Sequence, residues 1–157
     1  TINSDMNFYI KYKKIAKYIE SNNYLIKDNY IRNIHLNNIF NRYNYNDFIN
    51  NLLHYDDFKL YNSNGNYSDS AYIKTGDIFK NKYNSYKIVI TGDVTGDGYV
   101  KINDLMKIAN YLIDGKSLKE EYLYAADITM DNKVKMNDLM KMANAMLNGG
   151  SLWKSLV

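Results

Sequence analysis

The sequence has no cysteine, no proline and only two histidines. The lack of cysteine excludes disulfides, thiolate metal sites and cysteine nucleophiles, and it leaves the redox compartment open. His35 and His54 alone offer little for an imidazole metal site or a histidine-dependent hydrolase, so we expect neither. The sequence also lacks any apolar run of about 18 residues, and it does not begin with a charged segment followed by an apolar one. We therefore expect neither a membrane span nor an intact signal peptide.

The composition is that of a globular protein. The 157 residues are 46% hydrophobic, which is enough for one ordinary domain or two small modules. The net charge is +3, with 12 basic against 8 acidic residues before residue 92 and 8 against 9 from there on. We attribute this mild excess, like the many Asn and Tyr residues, to a genome rich in A and T rather than to nucleic-acid binding. Because the chain begins at Thr1, we expect it to be a piece of a longer protein.

An internal repeat divides the chain. Residues 92–115 and 126–149 are identical at 13 of 24 aligned positions, with an offset of 34 residues. Similarity at a fixed offset indicates two copies of one structural unit. Six of the eight glycines also lie from Gly92 onward, so we place a boundary after Thr91. The predicted modules are residues 1–91 and residues 92–157.

The first module has a mixed pattern. Apolar residues recur at helical spacing from Asp5 to Glu20, which predicts an amphipathic helix. Short β-prone runs predict strands at 24–26, 30–36, 58–61, 71–74 and 86–91, with turns at 62–66 and 75–77 and a short helix at 47–53. The fold class expected for the whole chain is α+β: a small β-rich, sandwich-like module with a leading helix, followed by an all-α module.

The first module shows no group of side chains that suggests chemistry. Asp56 and Asp57 are adjacent, and on a strand their side chains would point to opposite faces, which is unsuited to paired acid–base work. His35 and His54 are expected at the surface or at the edge of the core. We predict no catalytic residue.

Each repeat places oxygen-bearing side chains at positions 1, 3, 5 and 12 of a twelve-residue loop. With this spacing a chain can wind around calcium, which takes about six to eight oxygen ligands, including the carbonyl at position 7. The predicted ligands are Asp93, Thr95, Asp97, Asp104 and the carbonyl of Tyr99 in the first loop, and Asp127, Thr129, Asp131, Asp138 and the carbonyl of Lys133 in the second. The sequence therefore predicts two calcium ions.

Other loop positions agree with this interpretation. Position 6 requires left-handed backbone, and Gly98 and Asn132 are residues that adopt it readily. Val100 and Val134, at position 8, predict an apolar contact that brings the loops into one core. Position 9 is lysine in both loops and cannot coordinate a cation, so water would complete the ligand set.

A second interpretation of the repeat stays open at this stage. The loops could be Asp-Gly turns whose aspartates cap the helices that follow, which would explain Asp104 and Asp138 but not four ligand positions repeated in phase. Helical patterns follow both loops and end at Gly115 and Gly149. The run 86–91 before the first loop is a predicted strand, so the entering helix of an EF-hand is absent there. A shorter helix is predicted at 118–125, between the repeats.

Two loop-plus-helix repeats separated by a linking helix resemble a dockerin, over Gly92 to Gly149. The resemblance implies three helices, two bound calcium ions, and calcium-dependent binding to a cohesin domain of a scaffoldin or cell-surface protein in a cellulosome-like bacterial assembly. It further implies a secreted or cell-surface location, where millimolar calcium would fill even weak loops. We expect a monomer when the protein is free, and no nucleic-acid partner.

The resemblance also implies a partner-binding surface. Dockerins contact cohesins through residue pairs at loop positions 10 and 11 and at helix positions 17 and 18. In this chain these are Ile102, Asn103, Ala109 and Asn110 in the first repeat, and Met136, Asn137, Ala143 and Asn144 in the second. Met106, Met140 and Tyr111 are candidate anchors, although methionine at helical spacing also fits a core position. The near-identity of the two sets suggests a dual binding mode.

The first module is more loosely similar to the X modules that precede some dockerins. This similarity implies that residues 1–91 stabilise the dockerin, and it makes them a candidate for further partner contacts. Leu152 and Trp153 follow the last helix. We considered two arrangements for this tail: one folded back against the start of the second module, and one disordered.

Two other functional classes were weighed. A calcium sensor would open a methionine-rich groove for a target helix, but the missing entering helix argues against it. An enzyme with structural calcium would have to place its active site in the first module, where no suitable residues stand out. We therefore expect a non-catalytic interaction module.

Overall fold

A computed structural model describes residues 18–152 of the chain. Most of the predicted helix at 5–20 lies outside the described residues. At the described end of that segment, Glu20 forms an isolated antiparallel bridge with Leu53. Within the described part of the chain, no helix is long and apolar enough to cross a membrane.

The first module is built on a five-stranded mixed sheet. Its strands are β1 (Leu25–Lys27), β2 (Tyr30–Ile34), β4 (Lys59–Tyr61), β6 (Ile78–Lys80) and β7 (Ser85–Ile90). Their order is β1-β2-β7-β6-β4, and all neighbours are antiparallel except β2 and β7, which run parallel. Strands β3 (Tyr43–Asn44) and β5 (Tyr72–Ile73) form a separate two-stranded sheet, and helix α1 (Tyr45–Asn50) follows β3 directly. The longest strand, β7, leads straight into the second module.

The module differs from the predicted sandwich. One sheet of five strands carries the core, and the second sheet is a two-residue pairing, so two full layers of strands are not formed. The run predicted as a strand at 71–74 is shortened to Tyr72–Ile73, and β6 was not predicted. Strand β6 is only three residues long and follows the turn at 75–77, so its sequence pattern is too short to stand out.

Three helices follow β7: α2 (Ile102–Asp114), α3 (Glu121–Ala126) and α4 (Met136–Asn148). Helix α2 ends as predicted at Gly115, which adopts a left-handed conformation with φ of 64° and donates its N–H to the carbonyl of Tyr111. Helix α4 ends at Gly149. Helix α3 is shorter than the predicted span 118–125 because the chain enters it through Glu120, whose φ of 51° is incompatible with a helix.

One hydrophobic core runs through both modules. Phe48, Phe79 and Ile88 of the first module are fully buried in the same cluster as Ile108 of α2 and Met142 of α4. Helix α3 packs against β7, and the N–H of Gly92 donates to the carbonyl of Ala125 at 2.8 Å. The boundary after Thr91 therefore separates two sequence patterns that fold onto one continuous core.

The C-terminal segment folds back onto the start of the second module. Leu152 is buried, and its side chain packs over Gly92 so closely that a Cβ at Gly92 would lie 2.5 Å from Leu152 Cδ1. The carbonyl of Gly150 accepts the N–H of Ile39 at 2.9 Å. Of the two predicted arrangements, the folded-back one holds for Leu152, whereas Trp153 lies outside the described residues.

Candidate metal centres

The first loop is organised around Asp93, a fully buried carboxylate. Its Oδ1 accepts the N–H of Asp97 at 3.1 Å. Its Oδ2 accepts the N–H of Gly98 at 3.2 Å and that of Thr75 at 2.8 Å. The loop thus curls around its own first residue, which is the local geometry that a cation-binding turn requires.

Asp104 closes the first loop from the other end. Its Oδ1 accepts the N–H of Thr95 at 2.8 Å and the hydroxyl of Thr95 at 3.0 Å. Its Oδ2 accepts the N–H of Lys101 at 2.7 Å, which caps the first turn of α2. Asp104 is the third residue of the helix rather than its N-cap. The capping interpretation therefore describes one oxygen of Asp104 and leaves the other facing loop position 3.

The second loop repeats this geometry. Asp127 accepts the N–H of Asp131 at 3.1 Å and that of Asn132 at 2.8 Å. Asp138 accepts the N–H and the hydroxyl of Thr129 at 2.8 and 2.9 Å, and it caps α4 through the N–H of Lys135 at 2.7 Å. The 13-of-24 identity of the repeats thus corresponds to the same set of hydrogen bonds.

Position 6 has the predicted left-handed backbone in both loops. The φ angle is 81° at Gly98 and 66° at Asn132. Each of these residues directs its N–H back to the carboxylate at position 1. The valines at position 8 also behave as predicted, since Val100 is buried and Val134 packs against the same core.

Burial disfavours the charged forms of three loop carboxylates, which are Asp93, Asp104 and Asp127. Burial, and next the nearby charges of Asp104 and Asp97, raises the pKa of Asp93 to about 7, although N–H donors oppose the shift. Burial also raises the pKa of Asp104 and, in the second loop, that of Asp127. A bound divalent cation would offset this repulsion, and carboxylate and hydroxyl oxygens are the donors that calcium prefers.

The carboxylates at position 5 lie at the exposed rim. Asp97 accepts the N–H of Tyr99 at 2.8 Å, and Asp131 accepts that of Lys133 and forms an ion pair with Lys135. Within residues 18–152, no three acidic or histidine side chains lie close enough together to hold a metal ion by themselves. The predicted ligand set of carboxylate, threonine hydroxyl and position 7 carbonyl oxygens therefore stays a prediction.

The predicted partner-binding residues form exposed stripes on α2 and α4. The exposed fractions of Ile102, Met106, Met136 and Met140 are 60%, 56%, 58% and 58%. The alternative that Met106 and Met140 are core residues is therefore wrong. Asn103, Asn110, Asn137 and Asn144 are also exposed, and Ala109 and Ala143 are half-buried. Tyr111 is half-buried and packs against the core, so it is a poorer anchor than predicted.

Sequence reasoning missed the far end of each stripe. Ile113 on α2 and Leu147 on α4 are 86% and 82% exposed, the highest values among the large hydrophobic residues described. The sequence contains a signal for both residues, because residues 102, 106, 109 and 113 follow helical spacing, as do residues 136, 140, 143 and 147. Each helix therefore presents an apolar stripe that runs nearly its whole length.

The titratable residues of the first module form no comparable site. His35 is half-buried, and burial lowers its pKa to about 4, so its imidazole is neutral at ordinary pH. His54, Asp56 and Asp57 are exposed, the two aspartates lying in a turn rather than on a strand. Asp77 is buried, and its Oδ2 accepts the N–H of Lys74 at 3.0 Å, which closes the turn at 74–77.

Comparison with known proteins bears on the second module. No curated protein and no solved structure matches the chain. A dockerin type I domain implies calcium-dependent binding to a cohesin in cellulosome-type assemblies. The family model of the Dockerin type I domain matches residues 91–147 of this chain, which span both loops and nearly all of the three helices that follow β7.

Proposed function

We propose that this protein is a non-catalytic docking module that binds a cohesin domain in a calcium-dependent manner. The observation that carries the proposal is the pair of exposed apolar stripes, one on α2 and one on α4, each beginning directly after a loop that gathers carboxylates. Exposed apolar surface of this regularity is typical of an interaction site. By analogy with the family, the chain would attach a secreted enzyme or surface protein to an extracellular assembly.

Two calcium ions would organise these stripes. In each loop the carboxylates at positions 1, 5 and 12, the threonine hydroxyl at position 3 and the carbonyl at position 7 are the proposed ligands. The oxygen of Asp104 or Asp138 that faces Thr95 or Thr129 would bind the ion while the other oxygen caps the helix. Calcium would thus fix the start of the helix that presents the stripe.

The partner is expected to bring a largely apolar and neutral surface. Met106, Met140, Ile113 and Leu147 are uncharged and exposed, and the asparagines beside them supply hydrogen bonds without charge. Methionine adapts its shape to a partner at low conformational cost. Because the two stripes have matching residues, either one would serve as the principal contact after a rotation of the module by about 180° relative to the partner.

The fold argues against the calcium-sensor alternative. Strand β7 leads straight into the first loop, so the entering helix that a sensor uses to open its groove is absent there. Met106 and Met140 are more than half exposed, so they are accessible to a partner in the form whose loop turns are made.

The proposal is tested by calorimetric titration of the full chain with purified cohesin domains encoded in the same genome. We expect binding in calcium and none in excess EGTA. Met106→Asp and Met140→Asp each alter an exposed side chain, so both variants should fold. If the two stripes are equivalent, each single variant keeps binding within a few-fold and the double variant loses it.

Lys116→Ala, in the exposed turn after α2, is the control and should bind like the unaltered chain. Loss of binding from one single variant alone would indicate a single binding mode. Unchanged binding by the double variant, or equal binding in EGTA, would contradict the proposed function.

A further inference from the structure

The first loop is held by the β-rich module in a way that the second loop is not. We propose that Thr75 of the β-rich module is a positioning residue for the first calcium loop, so that this loop takes up calcium before the second and its occupancy stabilises the β-rich module. This inference rests on the proposed function, because it assumes that both loops bind calcium.

The two carboxylate oxygens of Asp93 differ in the number of hydrogen bonds that they accept. The N–H groups of Thr75 and Gly98 both donate to Oδ2, which therefore has both of its lone pairs engaged, whereas Oδ1 accepts only the N–H of Asp97. Asp93 is thus oriented with Oδ1 as its available ligand. In the second loop each oxygen of Asp127 accepts one N–H from within the loop, and neither is singled out.

Thr75 is held in place by hydrogen bonds to strand β7. Its hydroxyl accepts the N–H of Ile90 at 3.0 Å and lies 3.3 Å from the carbonyl of the same residue. The next residue, Gly76, donates its N–H to the carbonyl of Ile88 at 2.9 Å. The turn that contains Thr75 is therefore fixed by hydrogen bonds to β7, the strand that leads into the loop. Thr75 itself is buried, so its N–H has no competing water.

A second contact from the β-rich module reaches the loop at Tyr99. The guanidinium of Arg42 lies 4.8 Å from the ring centroid of Tyr99 and 4.3 Å from that of Tyr72. The carbonyl of Tyr99 is the proposed ligand at position 7. The Nζ of Lys101 lies 3.7 Å from the centroid of the same Tyr99 ring.

The lysine at position 9 therefore has a different partner in each loop. In the first loop Lys101 is held over Tyr99, whereas in the second Lys135 forms an ion pair with Asp131, one of the proposed ligands. Calcium entering the second loop would have to displace that ion pair. Within the described residues, no carboxylate of the first loop forms an ion pair, and Asp93 is restrained by Thr75; preorganisation of this kind favours binding.

Coupling between two parts of one molecule is reciprocal. If contacts from the β-rich module raise the calcium affinity of the first loop, calcium in that loop must stabilise those contacts by the same factor. The β-rich module would then be a functional part of the docking module rather than a neighbour in sequence.

The test is a calcium titration of the full chain followed by NMR, with the backbone amides of Gly98 and Asn132 as reporters of the two loops. In the unaltered chain we expect the Gly98 resonance to reach half-saturation at a calcium concentration about tenfold lower than that of Asn132, as expected when a hydrogen bond to a charged group is preorganised. Equal midpoints, or earlier saturation of Asn132, would overturn the inference.

Variants of Thr75 test whether this residue causes the difference between the calcium midpoints of the two loops. Thr75→Val removes the hydroxyl that pins the turn and should bring the Gly98 midpoint toward that of Asn132, which should not move. Thr75→Ser keeps the hydroxyl and should restore the difference. Phe58→Leu destabilises the β-rich core away from the loop and should leave the ratio of the two midpoints unchanged.

If Thr75→Val fails to fold, Arg42→Lys provides an independent variant, because it keeps the charge and removes the planar stacking on Tyr99. It should weaken calcium binding several-fold at Gly98 alone. Equal shifts of both resonances in either variant would overturn the inference. If neither resonance responds to calcium in the unaltered chain, the proposed function itself fails, and this outcome is distinguishable from equal midpoints.

Discussion

The two loops share a sequence pattern but not an environment. The first follows a buried strand and receives Thr75 and Arg42 from the β-rich module, and its Asp93 is fully buried. The second follows the short helix α3, and its Asp127 retains 9% exposure. Twofold sequence repetition therefore gives two loops with equivalent predicted ligands and unequal support. In such a repeat, we expect differences in calcium affinity to arise from the surrounding residues rather than from the ligands.

Removing the first proposed ligand of each loop should show most clearly that the two loops contribute unequally to stability. Asp93→Ala leaves three N–H groups without their acceptor, one of them from buried Thr75, whereas Asp127→Ala leaves two in a less buried loop. In calcium we expect Asp93→Ala to lower the free energy of unfolding by about 3–5 kcal/mol and Asp127→Ala by about 1–3 kcal/mol. Urea unfolding of both variants measures the difference, and equal losses would count against unequal support.

The residue before each loop offers a second comparison. Gly92 has a φ of 93°, and a Cβ there would lie 2.5 Å from Leu152 Cδ1 and 3.1 Å from Val100 Cγ2, whereas the equivalent residue of the second repeat is Ala126. Gly92→Ala should therefore destabilise the protein by about 2–3 kcal/mol through strain and displacement of Leu152. Thermal unfolding provides the measurement.

Gly65→Ala is the matched control for this substitution. Gly65 also has a positive φ, of 84°, but nothing lies within 4 Å of a Cβ there, so only the backbone strain remains. Its loss should be smaller, about 1 kcal/mol. If the two variants were equally stable, the packing of the C-terminal segment on Gly92 would make no contribution to the free energy of unfolding.

Substituting the lysines at position 9 should give the smallest change, which is a change in calcium affinity. Lys135→Ala releases Asp131 from its ion pair, so calcium affinity of the second loop should rise by a few-fold, in keeping with about 0.2–1 kcal/mol for an exposed pair. Lys101→Ala breaks no ion pair with a proposed ligand and should change the first loop less. Site-resolved calcium titration distinguishes the two, and a larger gain from Lys101→Ala would reverse the assignment.

The sequence was sufficient for the features that are local. The left-handed positions at Gly98 and Asn132 and the two helix ends at Gly115 and Gly149 all follow from patterns within a single repeat. The exposed stripes also follow from helical periodicity, although Ile113 and Leu147 were not recognised as part of them.

The features that depend on distant pairing could not be predicted. Strand β2 pairs in parallel with β7 across a separation of more than fifty residues, and no local pattern specifies that partner. The contact between Thr75 and Asp93 likewise joins residues 18 positions apart in sequence. Such contacts are set by how the whole sheet packs, which is why the predicted sandwich was wrong and the support of the first loop was not foreseen.

Calcium is expected to hold the two loops in the form that presents the exposed stripes of α2 and α4. This expectation is tested most directly by calcium titration calorimetry on the full chain, combined with thermal unfolding in calcium and in excess EGTA. We predict two bound ions and a lower melting temperature in EGTA, since each site at a hundredfold excess of calcium over its Kd adds about 2.7 kcal/mol of stability. A melting temperature indifferent to EGTA, with no heat of calcium binding, would contradict this prediction and leave the aspartates as helix caps alone.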